Sequence, residues 1–537
     1  MWKLTSSILL VLWPLWSFGA STFYVSKTLG SDSNTTTQAK SKATPWAHLP
    51  GTAAAGCTTG CSNNSFGCAP ACKSPQGYTP VAGDQFILYG GDTWGSSESF
   101  EWDGNGGSQC VTTPNGSCDY IGVDQTWFNS GVCGASWCRP IFNYGGSVVS
   151  NAVAYIFGQN TTIDNIEFTG LATSGGTTNH YIYVGAGGGG NTVENVYLHN
   201  WSHQPSGDAD NSSAIACSGT NTVIHDSVID GSDEAGGPDM MTAVDGCTVQ
   251  YNIVAKNITS GFLGSGDVYH DLVIGPVLLG YTGGHRNGIQ NAGANTYSYI
   301  IAYDILLTQV QNGGMGQFWF EQGSGNNGIP MYGFNLFEYN TVSGNNFDLC
   351  QNGTGCGPFT IFNSTLNCGT ASNCFGQSTG AGGTVNLFNN HCVNNAGSVS
   401  CTAGGTSPLD FIETDDLAQT TTQADSNTTP HFDKYTGSQT YVFSPVASTN
   451  STVGAGTNMT STCNTIAALG SVYATAAGAA CKEDTTYAVT YDTANHTVIY
   501  PARTPNNRPA TGAWDIGAYE FVPVGPFGAA PTPWFLN

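Results

Sequence analysis

The sequence predicts an all-β chain wound as a parallel β-helix, a solenoid whose coils stack strand upon strand. Two observations predict it. Short β-branched or aromatic runs, each with an Asn or Asp inside, recur along the chain: "TTIDNIEF", "NTVENVYL", "TVIHDSVI", "TVQYNIVA", "DVYHDLVI", "IIAYDILL", "LFEYNTVS", "FTIFNSTL" and "NLFNNHCV". Between them lie Gly-rich or polar segments, and no stretch shows a convincing helical stripe.

The polar positions in these runs are Asn165, Asn195, Asp226, Asn252, Asp271, Asp304, Asn340, Asn363 and Asn390, spaced 19 to 36 residues apart. Irregular repeats of this length, with one clear strand each, are the mark of stacked units that bury a face only against their neighbours. In a β-helix, an Asn at a fixed turn can hydrogen-bond its copies above and below. The loops between strands are free to vary, which explains the uneven spacing. An antiparallel sandwich array would put hairpin turns at a steadier spacing of roughly 8–12 residues, and this chain does not.

The elements follow in order. Residues 1–20, "MWKLTSSILLVLWPLWSFGA", place one Lys before an apolar run that ends in small residues, the pattern of a secretory signal. Pro14 and the short run argue against a membrane anchor, and no later segment is long and apolar enough to span a bilayer. Residues 21–150 are expected to form a Cys-rich N-terminal cap with the first coils. Residues 151–405 carry the regular coils. Residues 406–537 form a C-terminal extension that begins Thr/Ser-rich ("TTTQADSNTTP"), returns to the body and ends in a Pro-rich tail.

The 18 cysteines fall mostly in close neighbours: Cys110/Cys118, Cys133/Cys138, Cys350/Cys356, Cys368/Cys374, Cys392/Cys401 and Cys463/Cys481, with Cys217 and Cys247 linking two longer turns. Behind a signal, these read as local disulfides stapling loops. Cys57, Cys61, Cys68 and Cys72 lack a clean zinc-type pair spacing.

Charge narrows the partners. The 537 residues carry 12 Lys+Arg against 36 Asp+Glu, a net −24, with only 9% charged. Such a chain does not seek nucleic acid or an anionic membrane surface. With 40% hydrophobic residues and 72 glycines, the composition is that of an extracellular β protein with a real core.

Three segments carry a resemblance. "TFYVSKTLGSDSNTTTQAKSKATPWAHL" resembles the opening, and "PVAGDQFILYGGDTW" the first coil, of right-handed parallel β-helix proteins of the pectate-lyase-like superfamily; "RPATGAWDIGAYEF" resembles the closing motif of many secreted bacterial members. The resemblance spans nearly the whole mature chain and implies the right-handed fold. It implies no single activity, because that superfamily holds lyases, glycoside hydrolases, epimerases, esterases and non-catalytic surface proteins.

A β-helix sets equivalent positions about 4.8 Å apart in successive coils, so one face forms a long groove suited to a polysaccharide. Unusual polar residues cluster between Asn195 and Asn340. They are Asp233, Glu234 and Asp239 in "HDSVIDGSDEAGGPDMM"; Lys256; Asp267 and His270 in "GSGDVYHD"; His285, Arg286, Asn287 and Gln290 in "GGHRNGIQ"; and Trp319 and Glu321 in "GQFWFEQG". Trp201 in "HNWSHQ" is expected to flank the same groove. Arg286 and Lys256 are the only Lys/Arg residues from 140 to 433. "HRNGIQ" also resembles a His-x-Asn/Asp-Gly-Ile-Gln segment of related secreted β-helix proteins.

This inventory fits three chemistries. A hydrolase needs two carboxyls, one acid and one base or nucleophile, which Asp233, Glu234, Asp239, Asp267 and Glu321 can supply. A lyase or epimerase needs a base such as His285 and a cation such as Arg286 to neutralise a uronate carboxyl. Lys256, Asn287, Gln290, Trp319, His270 and Trp201 are then substrate contacts. No cofactor is required, and calcium is possible among the oxygen ligands. The complete polygalacturonase and calcium-lyase motif sets are absent. The expectation is a secreted glycoside hydrolase or polysaccharide lyase. The alternative is a non-catalytic surface, adhesion or glycan-binding protein whose partner is a cell-surface glycan.

Overall fold

The computed structural model describes residues 20–523 except 53–77, 79–80, 103–117, 150–151, 174–178, 186–188, 204–211, 234–241, 259, 264–266, 277–286, 293–297, 308–317, 323–326, 339–346, 352–356, 369–372, 377–383, 395–399, 405–409, 421–442 and 446–447. The expected signal segment, 1–20, thus lies outside the described residues save for Ala20.

The chain is a parallel β-helix. Strands pair with their equivalents one coil away, forming a parallel sheet of 21 strands (the first sheet) and one of 11 (the second sheet). The coils stack because one apolar column fills the interior. In the second sheet, Ile182, Ile215, Val244, Phe262, Ile289, Trp319, Phe347 and Phe375 follow one another in register. All eight are 0% exposed. Each such side chain contributes roughly 1.5–3 kcal/mol of burial free energy.

Each coil crosses the first sheet as two strand segments divided by one sharp bend. The bend residue has φ between 50° and 57° at Asn165, Asn195, Asp226, Asn252, Asp271, Asp304, Asn335, Asn363, Asn389 and Asp415. Only Gly, Asn and Asp enter this left-handed region cheaply, which is why the repeat is written in Asn and Asp. A bend falls at Asn335, whereas the expected Asn340 lies outside the described residues, and the next-but-one bend falls at Asn389, not Asn390. In the second case, Asn390 turns inward, where its amide donates to Ile361 O at 2.9 Å while its neighbour takes the bend. Copies do bond along the stack: Asn252 donates to Asp226 at 2.9 Å and Asn389 to Asn363 at 2.9 Å. The coils run past residue 405, through the strands Asp410–Thr414 and Leu417–Thr420.

The C-terminal segment folds back over the first sheet. Helices α1 (Thr460–Ala467) and α2 (Val472–Ala480), joined by the Cys463–Cys481 disulfide, pack Ile466, Ala474 and Ala477 among Tyr299, Tyr303 and Phe334. Further on, Tyr487, Ala488 and Tyr519 lie on Val228, Val254, Leu306 and Phe337. The closing motif docks on late coils: Gly517 donates to Asn389 O at 2.7 Å and Ala518 to Thr365 Oγ1 at 2.9 Å. Disulfides Cys133–Cys138, Cys217–Cys247, Cys368–Cys374 and Cys392–Cys401 form as the spacing predicts. Cys57, Cys61, Cys68, Cys72, Cys110 and Cys356 lie outside the described residues.

Candidate functional site

Among the described residues, Asp233 and Asp267, two of the carboxyls singled out in the sequence, do not converge. The long strands of the first sheet separate them. Asp267 stands just before the strand Val268–Pro276, and Asp233 just after the strand Val223–Asp230. Strands of eight or nine residues span on the order of 25 Å, less where bent. A hydrolytic carboxyl pair needs about 5–9.5 Å, so these two cannot serve one bond. His285, Arg286, Glu234 and Asp239 lie outside the described residues. Glu321 is placed on the strand Trp319–Gln322.

Three of the expected substrate contacts are interior instead. Trp201 (1% exposed) and Trp319 (0%) belong to the core, where large rings fill the coil. Asn287 (0%) is buried and donates to Gln290 Oε1 at 2.9 Å, organising the turn into its strand rather than meeting a ligand.

His270 joins a column of stacked rings on the first sheet, His225–Tyr251–His270–Tyr303–Phe334–Phe362, with centroids 4.7 to 5.3 Å apart. Its Nδ1 lies 2.5 Å from the Asp271 carboxylate. The role is packing between coils.

Asp233 anchors a network that the sequence reading did not foresee. His199 Nδ1 lies 2.6 Å from Asp233 and its Nε2 3.1 Å from Glu167. Burial opposes charge on this imidazole, but the two carboxylates outweigh it and push its pKa up to about 9. His199 is therefore a fixed cation at neutral pH rather than a base. Its ring stacks on Tyr197 at 4.1 Å, and Tyr197 stacks on His496 at 4.1 Å. Lys256 sits 4.0 Å from Asp230 and 5.1 Å from the Tyr491 ring centre. His496 and Tyr491 belong to the hairpin Thr490–Asp492/Thr497–Ile499, so the network clamps the C-terminal segment to the coils.

Two carboxyls behave differently. Burial alone pushes Asp245 and Asp267 up to about 6, and neither side-chain carboxyl accepts a hydrogen bond among the described residues. Asp119 and Asp416, also raised, accept backbone N–H groups of Gly83 and Asn390.

Asp245 ends the strand Thr242–Asp245 of the second sheet. Val244 points into the core, so Asp245, next along, takes the outer face. Gly246 follows at φ +75, with no room for a side chain against Cys217 O, and the Cys217–Cys247 disulfide fixes this corner. Across the coils, Asp245 is in register with Ala216, Tyr183 and Tyr155 on one side and with Leu263, Gln290 and Phe320 on the other. Tyr155 packs against Tyr183 at 4.7 Å and Phe157 at 4.0 Å. Gly185 makes room for Phe157, whose ring would lie 2.8 Å from a Cβ there. The sheet thus sets an aromatic surface, a protonatable carboxyl and an amide in one line. Asp245, His199 and Glu167 lie inside ordinary strand patterns, and only the coil register marks them.

Among the described residues, one group of three ligand-type side chains comes together, Cys368, Cys374 and Cys392. Their sulfurs are spent in the Cys368–Cys374 and Cys392–Cys401 disulfides, so they offer no thiolate.

No protein-family profile matches the chain, and no curated protein matches it. Several solved structures are similar in shape. Pectate lyase Pel9A shares 13% identity at a TM-score of 0.38, over 82% of this chain and 92% of that one. A rhamnogalacturonan lyase shares 12% at 0.37, over 74% and 87%. A GH136 lacto-N-biosidase from Eubacterium ramulus shares 9% at 0.34, over 74% and 68%. The fold itself is established by the strand register of this chain: a parallel β-helix with a C-terminal segment closing the first sheet.

Proposed function

We propose that the protein is a secreted enzyme that hydrolyses a polysaccharide lying along the outer face of the second sheet, with Asp245 as proton donor. One observation carries this reading. Asp245 is an unpaired carboxyl, raised to about 6 by burial, in register with Tyr155, Tyr183 and Gln290. A carboxyl of that pKa keeps a proton long enough near neutrality to give it to a leaving glycosidic oxygen. The aromatic rings offer apolar faces to sugar C–H groups, and Gln290 offers an amide.

The second carboxyl, which activates water or attacks the sugar, is Glu234 or Asp239. Both lie outside the described residues and precede Asp245 in the sequence. Glu321 is a poorer fit, because its strand lies three coils from Asp245, about 14 Å. His285 and Arg286 enter the strand of Gln290 and serve as substrate contacts. Lyase chemistry needs a cation beside the uronate; Lys256 is engaged by Asp230 and Tyr491, so that role would fall to Arg286. The disulfides suit an oxidising compartment, and no helix among the described residues is long and apolar enough to cross a membrane.

The test is product analysis on a polysaccharide panel, wild type against Asp245→Asn. New reducing ends without the ultraviolet absorbance of an unsaturated uronate, lost roughly 100-fold or more in the variant, are expected. Appearance of that absorbance would replace the hydrolase with a lyase. No product on any substrate would leave a glycan-binding surface protein.

A further inference from the structure

The second raised carboxyl, Asp267, faces a different space. A cavity of about 160 Å³ lies where the first sheet begins, roofed by the start of α2. Its floor is the column Val223, Val249 and Val268, and its walls include Tyr299 and Tyr473. Asp267 lines it, and its carboxyl has no hydrogen-bond partner among the described residues. Tyr299 is fixed against the roof, its hydroxyl 2.5 Å from Ser471 Oγ, and Ser471 caps α2 by accepting from Ala474 N at 3.0 Å. The cavity therefore depends on the C-terminal segment, and it lies on a different face from Asp245.

Among the described residues, no Lys, Arg or His lines this cavity. A lone carboxyl at an apolar floor, in a cavity that two electron-rich phenol rings also line, lacks only a cation. We propose that the cavity between the first sheet and α2 binds a small organic ammonium, the amine held by the Asp267 carboxylate and flanked by Tyr299 and Tyr473. An amine-bearing sugar unit meets this description, with its ring on the valine floor. The site is separate from the hydrolytic one and does not depend on it.

Glucosamine and glucose make the test, because they differ in charge while sharing a ring. Binding to the full chain is measured by calorimetry at neutral pH, for wild type, Asp267→Asn and Asp245→Asn. Glucosamine is expected to bind at least roughly tenfold tighter than glucose, with that preference lost in Asp267→Asn and kept in Asp245→Asn. Tyr473→Ala, on the helix roof, is expected to weaken glucosamine severalfold. Equal binding of the two sugars, no binding of either, or a preference that survives Asp267→Asn would overturn the proposal. Loss of turnover in Asp245→Asn with glucosamine binding intact separates the two sites.

Discussion

Thr486 donates its hydroxyl to the Asp271 carboxylate at 2.7 Å, joining residues 215 positions apart. Its backbone N–H reaches Asp304 at 3.0 Å. The C-terminal segment thus caps the bend ladder at two successive coils. Asp304 is buried, and burial first, then Asp271, pushes its carboxyl well above the usual range. Arg503 braces the docked segment, pairing with both oxygens of Asp484 at 2.7 and 2.8 Å.

Thr486→Val keeps the shape and deletes the hydroxyl. Asp271, 1% exposed, then loses a donor where water does not replace it. The expected cost is about 1–3 kcal/mol, read as a lower denaturant midpoint at unchanged slope. An unchanged midpoint would mean the segment docks without this contact.

The bend itself is tested at Asn252, where φ is 52° and the side chain donates to Asp226 at 2.9 Å. Asn252→Val places a β-branched residue in the left-handed region and removes the bond. A loss of about 2–3 kcal/mol is expected, the sum of the conformational penalty and the bond. Asn252→Gly keeps the conformation and loses only the bond, so it is expected to cost about half as much. Equal losses would locate the penalty in the hydrogen bond alone.

These bends explain why the fold was legible and the site was not. The left-handed position restricts residue type coil after coil, so Asn and Asp wrote the repeat into the sequence. The pattern is ambiguous where two polar residues compete, as at Asn389 and Asn390, or where a coil carries more than one Asn, as with Asn335. Disulfides between near neighbours were legible for a similar reason: short loops leave few pairings. The site has no such local grammar. Asp267 and Asp233 look adjacent in a coil-by-coil reading, yet they stand at opposite ends of the first-sheet strands. Trp201 and Trp319 look like sugar platforms beside polar residues, yet the coil interior needs large rings. Asp245 sits in "TAVDGC" as an ordinary strand end, and only its register with Tyr183 and Gln290 marks it.

His199 links stability to pH in a defined direction. Its folded pKa is about 9 against an ordinary value of 6.5. Raising a histidine's pKa stabilises the fold where the imidazole is charged in both states, below about pH 6.5. That stability is lost as pH rises from 6.5 through 9. The amount is on the order of 2 kcal/mol or less, because the Asp233 carboxylate is half-exposed and screened. Melting temperature is expected to fall between pH 6.5 and 9.5 in wild type and to stay flatter in His199→Gln. Parallel curves for the two proteins would remove the imidazolium from the clamp.

Asp245 carries a linkage of the same sign in a lower pH window and ties stability to the proposed chemistry. Its folded pKa is about 6 against an ordinary 3.8, so the folded state holds a proton that the unfolded state releases between those values. Folding therefore bears a cost above pH 6 that fades as pH falls to 4. Asp245→Asn keeps the shape and removes the charge. It is expected to stabilise the protein at pH 8 by on the order of 2 kcal/mol and to leave stability at pH 4 nearly unchanged. If Asp245 is the proton donor, the same variant loses turnover, so stability and activity move in opposite directions. Thermal melts at both pH values, run beside the product assay, decide it. Destabilisation at pH 8 would mean that the carboxylate is paired and low in pKa, and the donor assignment would fall with it.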